Sequence, residues 1–399
     1  MKTPLAWRNL LHDKSRTAVG VGGVAFAVFL VLMQLGFLGA VESTATVIYS
    51  ALEFDLLLRS PEYLHFTKTG EFPALRLRQA ASAPGVQSAR PMHIAMNRWR
   101  APLDDSKDDG NIRALLMMGV DPVAPVFGRP DIAAEVAKLQ RPDYVVIDRK
   151  SRSDFGPADQ QRFGPADIGR TAELGGRRVE IVGTFELGTG LSADGAVIVS
   201  QQGFVRAMPS ADPERLSLGM IRLKTPDGHP PDEDQRKQAA EALQAWLDGY
   251  DDVQVLTRQE ALDYELNYWV KGTSVGAIFT FGAVLGMVVG LAIVYQVQEA
   301  DVTHHVKEYA TMKAMGFGYY NLLGVILKQS IALALMGYVL GLALTVYVGY
   351  PITAALSNLT IELAPIWAVV VFAASVGICA ASGFLASQKL HSADPASLF

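Results

Sequence analysis

Four stretches of this chain contain no Lys, Arg, Asp or Glu: residues 17–41, 272–298, 329–361 and 363–388. A helix rises 1.5 Å per residue, so about 20 apolar residues cross the roughly 30 Å hydrocarbon core of a bilayer. Each window is long enough. The charge missing from them is concentrated elsewhere, because residues 42–271 hold 61 of the 75 charged side chains in the 399-residue chain. That is the charge density of an ordinary soluble domain. The chain therefore combines two materials, membrane spans and one polar domain. A soluble enzyme is excluded. So is a nucleic-acid binder, since the net charge is −5 and no basic patch stands out.

The spans centre on residues 18–41, 275–295, 331–350 and 365–386, and Gln34 is the one strongly polar residue of the first. A secretory signal has an apolar run of about 7–15 residues, shorter than this, so the first window reads as a span rather than a cleaved leader. Lys and Arg in short flanks set orientation. Lys2, Arg8, Lys14 and Arg16 precede the first span, Lys307, Lys313 and Lys328 lie between the second and third, and Lys389 follows the fourth. The loop between spans three and four has only Glu362. Both termini are expected in the cytoplasm of a bacterial inner membrane, with residues 42–271 outside. The expected fold class is an α-helical membrane protein with four transmembrane helices and a large mixed α/β extracytoplasmic (periplasmic) domain between helices 1 and 2. Its segments are a cytoplasmic amphipathic start (1–16), helix 1 (17–41), the periplasmic domain (42–271) and helix 2 (272–298). A cytoplasmic coupling segment (299–328), helix 3 (329–350), a short outer loop (351–364), helix 4 (365–387) and a cytoplasmic tail (388–399) follow.

Within the outer domain, β patterning marks strands at 54–58, 114–120, 144–147, 171–174, 178–185, 196–200 and 253–256, with helices at 75–83 and 234–247. Gly175-Gly176 between two strands predicts a two-residue hairpin turn. Phe155-Gly-Pro-Ala-Asp159 recurs as Phe163-Gly-Pro-Ala-Asp167, which reads as a loop duplication rather than a solenoid repeat. Thr257 and Glu260 have capping-box spacing. No breaker is evident after them, which predicts one helical rod from about 257 to 297, roughly 60 Å long.

Chemistry is sparse. There is no Gly-x-x-x-x-Gly-Lys-Ser/Thr loop to cradle nucleotide phosphates. Gly272-Thr-Ser274-Val-Gly276 has the spacing of a nucleophile elbow, but that motif needs a strand before it, and a helix is expected there. The acidic run 104–110 fails as a calcium loop, with Lys107 and Leu116 where ligands are required. Adjacent His304 and His305 point apart on a helix and make a poor metal pair. The lone Cys379 has no partner for a disulfide and reads as a packing residue. No ionisable side chain lies deep in a span, which argues against an ion-coupled transporter. No catalytic residue, cofactor or metal is expected.

The spans carry a different signal. Gly282, Gly286 and Gly290 recur at four-residue spacing in the second, Gly337 and Gly341 in the third, and Ala373, Gly377 and Ala381 in the fourth. Small residues so spaced let helix backbones approach closely. The stripes serve packing within one chain or a seam between two copies. The segment from Asp301 to Gly316 has helical composition and reads as an interfacial helix or as a docking helix for a cytoplasmic partner.

Glu308-Tyr-Ala-Thr-Met-Lys-Ala-Met-Gly316 and the tail Lys389-Leu-His-Ser-Ala-Asp394-Pro395-Ala396-Ser-Leu-Phe399 resemble motifs of FtsX-like, MacB-like ABC transporter permeases, most closely the DevC type. Pro4-Leu-Ala-Trp-Arg-Asn-Leu10, Met33-Gln34-Leu-Gly-Phe37, Asp148-Arg149, Ser151-Arg152, Phe155-Gly156 and Asp194-Gly195 fit as well. The departure is Met312, where Leu is expected, a conservative change. The resemblance implies a homodimeric permease working with a separate ABC ATP-binding subunit, a periplasmic adaptor protein and a TolC-like outer-membrane channel. It implies ATPase docking through Lys307, Glu308, Met312, Lys313 and Gly316. It further implies export or efflux of a lipid, glycolipid or hydrophobic compound by mechanotransmission, the ATPase activity lying in the partner chain. The alternative within the same resemblance is an FtsX-like regulator that controls a periplasmic hydrolase and moves no cargo.

Overall fold

The most apolar strands of the polar domain are buried on both faces, and the strand order explains why. The protein is described from a computed structural model over residues 14–102, 112–188, 193–225, 229–247, 250–304, 311–312, 315, 318–357, 361 and 364–391. The chain divides into two compact units, residues 41–273 and the residues before and after them. The strands are β1 (Leu56–Arg59), β2 (Phe72–Pro73), β3 (Val86–Arg100), β4 (Ile112–Val120), β5 (Tyr144–Asp148), β6 (Thr171–Leu174), β7 (Arg177–Phe185), β8 (Ala196–Ser200), β9 (Arg215–Leu216), β10 (Leu218–Leu223) and β11 (Gln254–Thr257). Nine form one sheet in the order β11-β1-β10-β3-β4-β8-β5-β7-β6, and β3 also pairs with β6. That extra pairing closes the last six into a ring.

Side chains alternate across a strand, so each wall strand of the ring feeds two cores. Trp99, Leu115, Met117, Val145, Ile147, Val197 and Val199 point to one core, joined by Phe155 and Phe163. Their neighbours Leu116, Met118, Val146 and Ile198 point to the other, with Ile48, Tyr49, Phe66 and Ile132. Continuous apolar runs are the consequence. The Gly175-Gly176 turn joins β6 to β7 in antiparallel register, Leu174 opposite Arg177, and both glycines have positive φ as such a turn requires.

Strand β3 has 15 residues and was not evident in the sequence. It changes partners midway: Val86 to Met92 pair with β10, and His93 to Arg100 with β4. Pro91, opposite Gly219, falls where only one side is paired. A residue without an N–H is tolerated there.

The helices are α1 (Lys14–Ala51), α2 (Ala74–Ala81), α3 (Pro130–Val136), α4 (Gln201–Ala207), α5 (Glu233–Trp246), α6 (Arg258–Asn267), α7 (Ser274–His304), α8 (Tyr319–Leu344), α9 (Tyr350–Ser357) and α10 (Pro365–His391). Among the described residues four are long and apolar enough to cross a membrane: Thr17–Ala51, Ser274–His304, Tyr320–Thr353 and Pro365–Gln388. Between α8 and α9 the backbone widens into a π turn, Thr345–Gly349, just before Pro351. Proline cannot donate the next helical hydrogen bond, and the wider turn absorbs the defect.

Two expectations change. Helix α1 does not stop at residue 41 but runs unbroken to Ala51, 38 residues or about 57 Å. The rod expected over 257–297 is broken. Helix α6 opens on the Thr257–Glu260 capping box, widens into a π turn over Tyr268–Gly272, and meets Thr273 in an extended conformation before α7 begins. Gly272 costs a helix about 1 kcal/mol relative to alanine, and β-branched Thr273 holds no helical preference to offset it.

Candidate functional site

In the membrane unit the first span is the hub, half buried over its most apolar stretch against 22–28% for the others. The glycines singled out in the sequence lie against it. A Cβ on Gly282 would stand 2.6 Å from Gln34 Cδ, one on Gly286 3.2 Å from Val31 Cγ2, and one on Gly290 2.5 Å from Ala27 Cβ. Gly337 faces Val24, and a Cβ on Gly341 would come within 2.6 Å of the Ala25 carbonyl oxygen. Spans two and three thus approach the first where they carry no side chain. Around Gly377 of the fourth span nothing lies within 4 Å, and Ala373 and Ala381 beside it are exposed.

A polar link ties spans two, three and four. Ser330 Oγ donates to Gln298 Oε1 at 2.7 Å, and Gln298 Nε2 donates to the Cys379 carbonyl at 3.5 Å. Gln298 and Ser330 are almost fully buried. Both fall at the ends of charge-free windows beside other polar residues, Gln296 and Glu299 in one case and Lys328 and Gln329 in the other, so nothing in the sequence singles them out.

Of the five docking candidates only Met312 is among the described residues; Lys307, Glu308, Lys313 and Gly316 lie outside them. Met312 is half-buried and packs on Val302, Leu322, Ile326 and Ala386. Met315, three residues on, is 65% exposed. The acidic run 104–110 and His305 also lie outside the described residues. Ser274 of the elbow-like motif follows a π turn rather than a strand. Among the described residues no three His, Cys, Asp or Glu side chains gather as a metal site.

Sequence reasoning missed a cluster inside the α/β unit. Glu265 on α6 is fully buried. Its Oε2 accepts from Tyr63 Oη at 2.6 Å; its Oε1 accepts from Phe66 N–H and Trp269 Nε1–H, both at 3.1 Å. Tyr63 Oη lies 2.7 Å from Tyr49 Oη near the end of α1. The Arg59 guanidinium stacks over the rings of Tyr63 and Tyr264, 4.8 and 3.9 Å from their centres. Burial pushes the Glu265 carboxyl above the usual range, against the pull of its three donors and Arg59. A single Glu in a helix with weak amphipathic pattern gives no sequence signal.

These features define a class: a four-span membrane protein whose first two spans bracket a large α/β domain. Residues 17–245 match the MacB-like periplasmic core domain, and residues 280–395 match the FtsX-like permease C-terminal domain. The chain belongs to the MacB/FtsX-like ABC transporter permeases. It is 23% identical over 401 residues to uncharacterized ABC transporter permeases of two Mycobacterium tuberculosis strains, CDC 1551 / Oshkosh and ATCC 25618 / H37Rv, covering 99% of this chain and 98% of theirs. Among solved structures it is similar to the periplasmic region of MacB from Actinobacillus actinomycetemcomitans, at 10% identity and a TM-score of 0.35 over 53% of this chain and 92% of that one. It is also similar to the extracellular domain of the noncanonic ABC-type transporter YknZ from Gram-positive bacteria, at 14% identity and a TM-score of 0.32 over 51% of this chain and all of that one.

Proposed function

We propose that this chain is the membrane subunit of an exporter whose ATP-binding subunit is a separate protein, and that it works by mechanotransmission. The observation that carries the reading is the pairing on one chain of a MacB-like periplasmic core with an FtsX-like C-terminal region. Permeases of this family work with an ABC ATPase subunit, and this sequence holds no phosphate-cradling loop of its own. The spans carry no ionisable side chain deep in the membrane to line a polar pathway. Helix α1, unbroken from a span into the core of the α/β unit, is a stiff element able to transmit displacement.

In this reading the permease is a homodimer in a bacterial inner membrane with both termini in the cytoplasm. The 299–316 segment docks on the ATPase through Lys307, Glu308, Lys313 and the methionines beside them. As in the DevC type, a periplasmic adaptor and a TolC-like channel carry a lipid, glycolipid or other hydrophobic cargo outward. Affinity purification from detergent-solubilised membranes tests it. Recovery of an ABC ATPase together with an adaptor protein is expected; recovery of a periplasmic hydrolase without an adaptor would favour the regulatory alternative. Orientation has its own check. In a Cys379→Ala background, single cysteines at Ser106 and Ser357 are expected to react with an impermeant thiol reagent in cells whose outer membrane is permeable to it. A cysteine at Ser392 is expected to stay protected, and its labelling would overturn the topology.

A further inference from the structure

Helix α1, the 60–70 loop and the turn that leads into α7 converge on one buried carboxylate, and the hydrogen-bond directions there are fixed. An ionised carboxylate only accepts. Tyr63 therefore spends its single proton on Glu265 Oε2, and in the 2.7 Å contact between the two tyrosines Tyr49 must be the donor. On the other oxygen, Phe66 N–H and Trp269 Nε1–H can donate but cannot accept. A proton can be taken up only on Oε2, which faces a hydroxyl. Once there, it donates to Tyr63, Tyr63 turns and donates to Tyr49, and the Tyr49 proton is left without an acceptor. Tyr49 is 1% exposed, and among the described residues its hydroxyl has no partner but Tyr63. A buried donor so stranded is costly.

We propose that Glu265 is a proton-operated catch: ionised, it holds the end of α1 through Tyr63 and Tyr49 to the turn entering the second span, and protonated, it releases the Tyr49 end. One proton enters from solvent and forms an O–H bond at Glu265 Oε2; the tyrosine hydroxyls only turn, and no other bond is made or broken. The titratable and charged groups around Glu265 are Tyr49 from α1, Arg59 from β1, Tyr63 from the loop and Tyr264 from α6. Arg258, also on α6, donates to the Tyr49 and Leu52 carbonyls, so the catch acts on the Tyr49 hydroxyl and not on that backbone link. Farther out, His65 stacks on Tyr268 and lies edge-on to Trp269, with Lys68 beside it. Burial, the largest influence on Glu265, raises its carboxyl above the ordinary value of about 4.3, placing release above the pH at which surface glutamates protonate. Only the purpose of the catch, loosening a force-bearing helix, rests on the export reading.

Trp269 reports the event, since its indole N–H donates to Glu265. The measurement is the pH-dependent part of tryptophan emission that disappears in Trp269→Phe, recorded on the full-length chain in lipid nanodiscs from about pH 4 to 8. His65 titrates in the same range, so every variant also carries His65→Gln. A one-proton transition is expected, absent in Glu265→Gln, whose amide donates to Tyr63 as the protonated acid does. Tyr49→Phe should raise the midpoint by about half a unit or more, because protonation no longer strands a hydroxyl and Tyr63 loses the donor that supports the ionised form. A residue that merely packs would leave the midpoint unmoved. Amide exchange at neutral pH should rise over residues 45–51 in Glu265→Gln. A transition that persists in Glu265→Gln, or a midpoint unchanged in Tyr49→Phe, overturns the catch; if Glu265→Gln does not fold, the Tyr49→Phe arm decides. A failed ATPase pull-down would reject the export reading and leave this titration intact.

Discussion

Phe155 and Phe163 head two copies of the same pentapeptide, yet the copies do different work. Both rings are 1% exposed in the core of the closed ring of strands. Gly156 has φ of +83°, and a Cβ there would come within 2.6 Å of Ala101 Cβ, whereas Gly164 is extended with nothing near it. The aspartates diverge further. Asp167 is buried and accepts from Ala158 N–H at 2.8 Å, Gly164 N–H at 2.9 Å and Arg170 Nη1 at 2.6 Å. Asp159 is exposed and accepts from Gln161 and Arg162 N–H, which hold its carboxyl below the usual range. Truncating Asp167 orphans two backbone donors and takes one acceptor from Arg170, which still donates to the Gly156 carbonyl. Asp167→Ala should therefore cost about 2–4 kcal/mol, a fall of about 5–12 °C in the melting temperature of a unit this size. Asp159→Ala should leave it unmoved. Equal losses in thermal unfolding of the purified protein would contradict this assignment. The repeat is legible in the sequence; its asymmetry is not, because it depends on what packs against each copy.

At the scale of elements, what the sequence revealed was what is local. Hairpin glycines, the Thr257–Glu260 cap, and strands such as Ala196–Ser200 carry their causes within a few residues. Strand β3 was hidden because its alternation is set by two partners in succession. The break at Thr273 was hidden because neither Gly272 nor Thr273 alone ends a helix. The glycine stripes were visible, but not their partner, since spacing says that something comes close and not what. The contacts yield a contrast. A Cβ on Gly341 would meet the Ala25 carbonyl at 2.6 Å, while one on Gly377 meets nothing within 4 Å. Gly341→Leu should wedge the first and third spans apart at a cost of about 1–3 kcal/mol, lowering the apparent melting temperature in detergent. Gly377→Leu should leave monomer stability unchanged. If both variants melt alike, the third span does not pack on the first in this way.

For the molecule as a whole, the open question is where an ATPase grips it. The segment after α7 is proposed as the coupling element on its motif; which of its methionines is free for a partner was not legible, since burial follows from neighbours far along the chain. Met312 packs on Val302, Leu322, Ile326 and Ala386. Met312→Asp would force a carboxylate among those side chains and disturb the fold as well as any docking. Met315 is 65% exposed and offers an apolar contact without that confusion. The informative variant is therefore Glu308→Lys with Met315→Asp, which reverses one charge and places another where a partner groove would need an apolar group. A lost charge pairing and a desolvated carboxylate together weaken such a contact by about 2–5 kcal/mol, a 30-fold or greater loss of affinity. Membrane levels and the melting temperature should stay normal because Met315 is exposed, and under the export proposal adaptor recovery should persist because neither change lies in the α/β unit. ATPase recovery and export should both fall. Undiminished ATPase recovery from this variant would place docking outside residues 299–316.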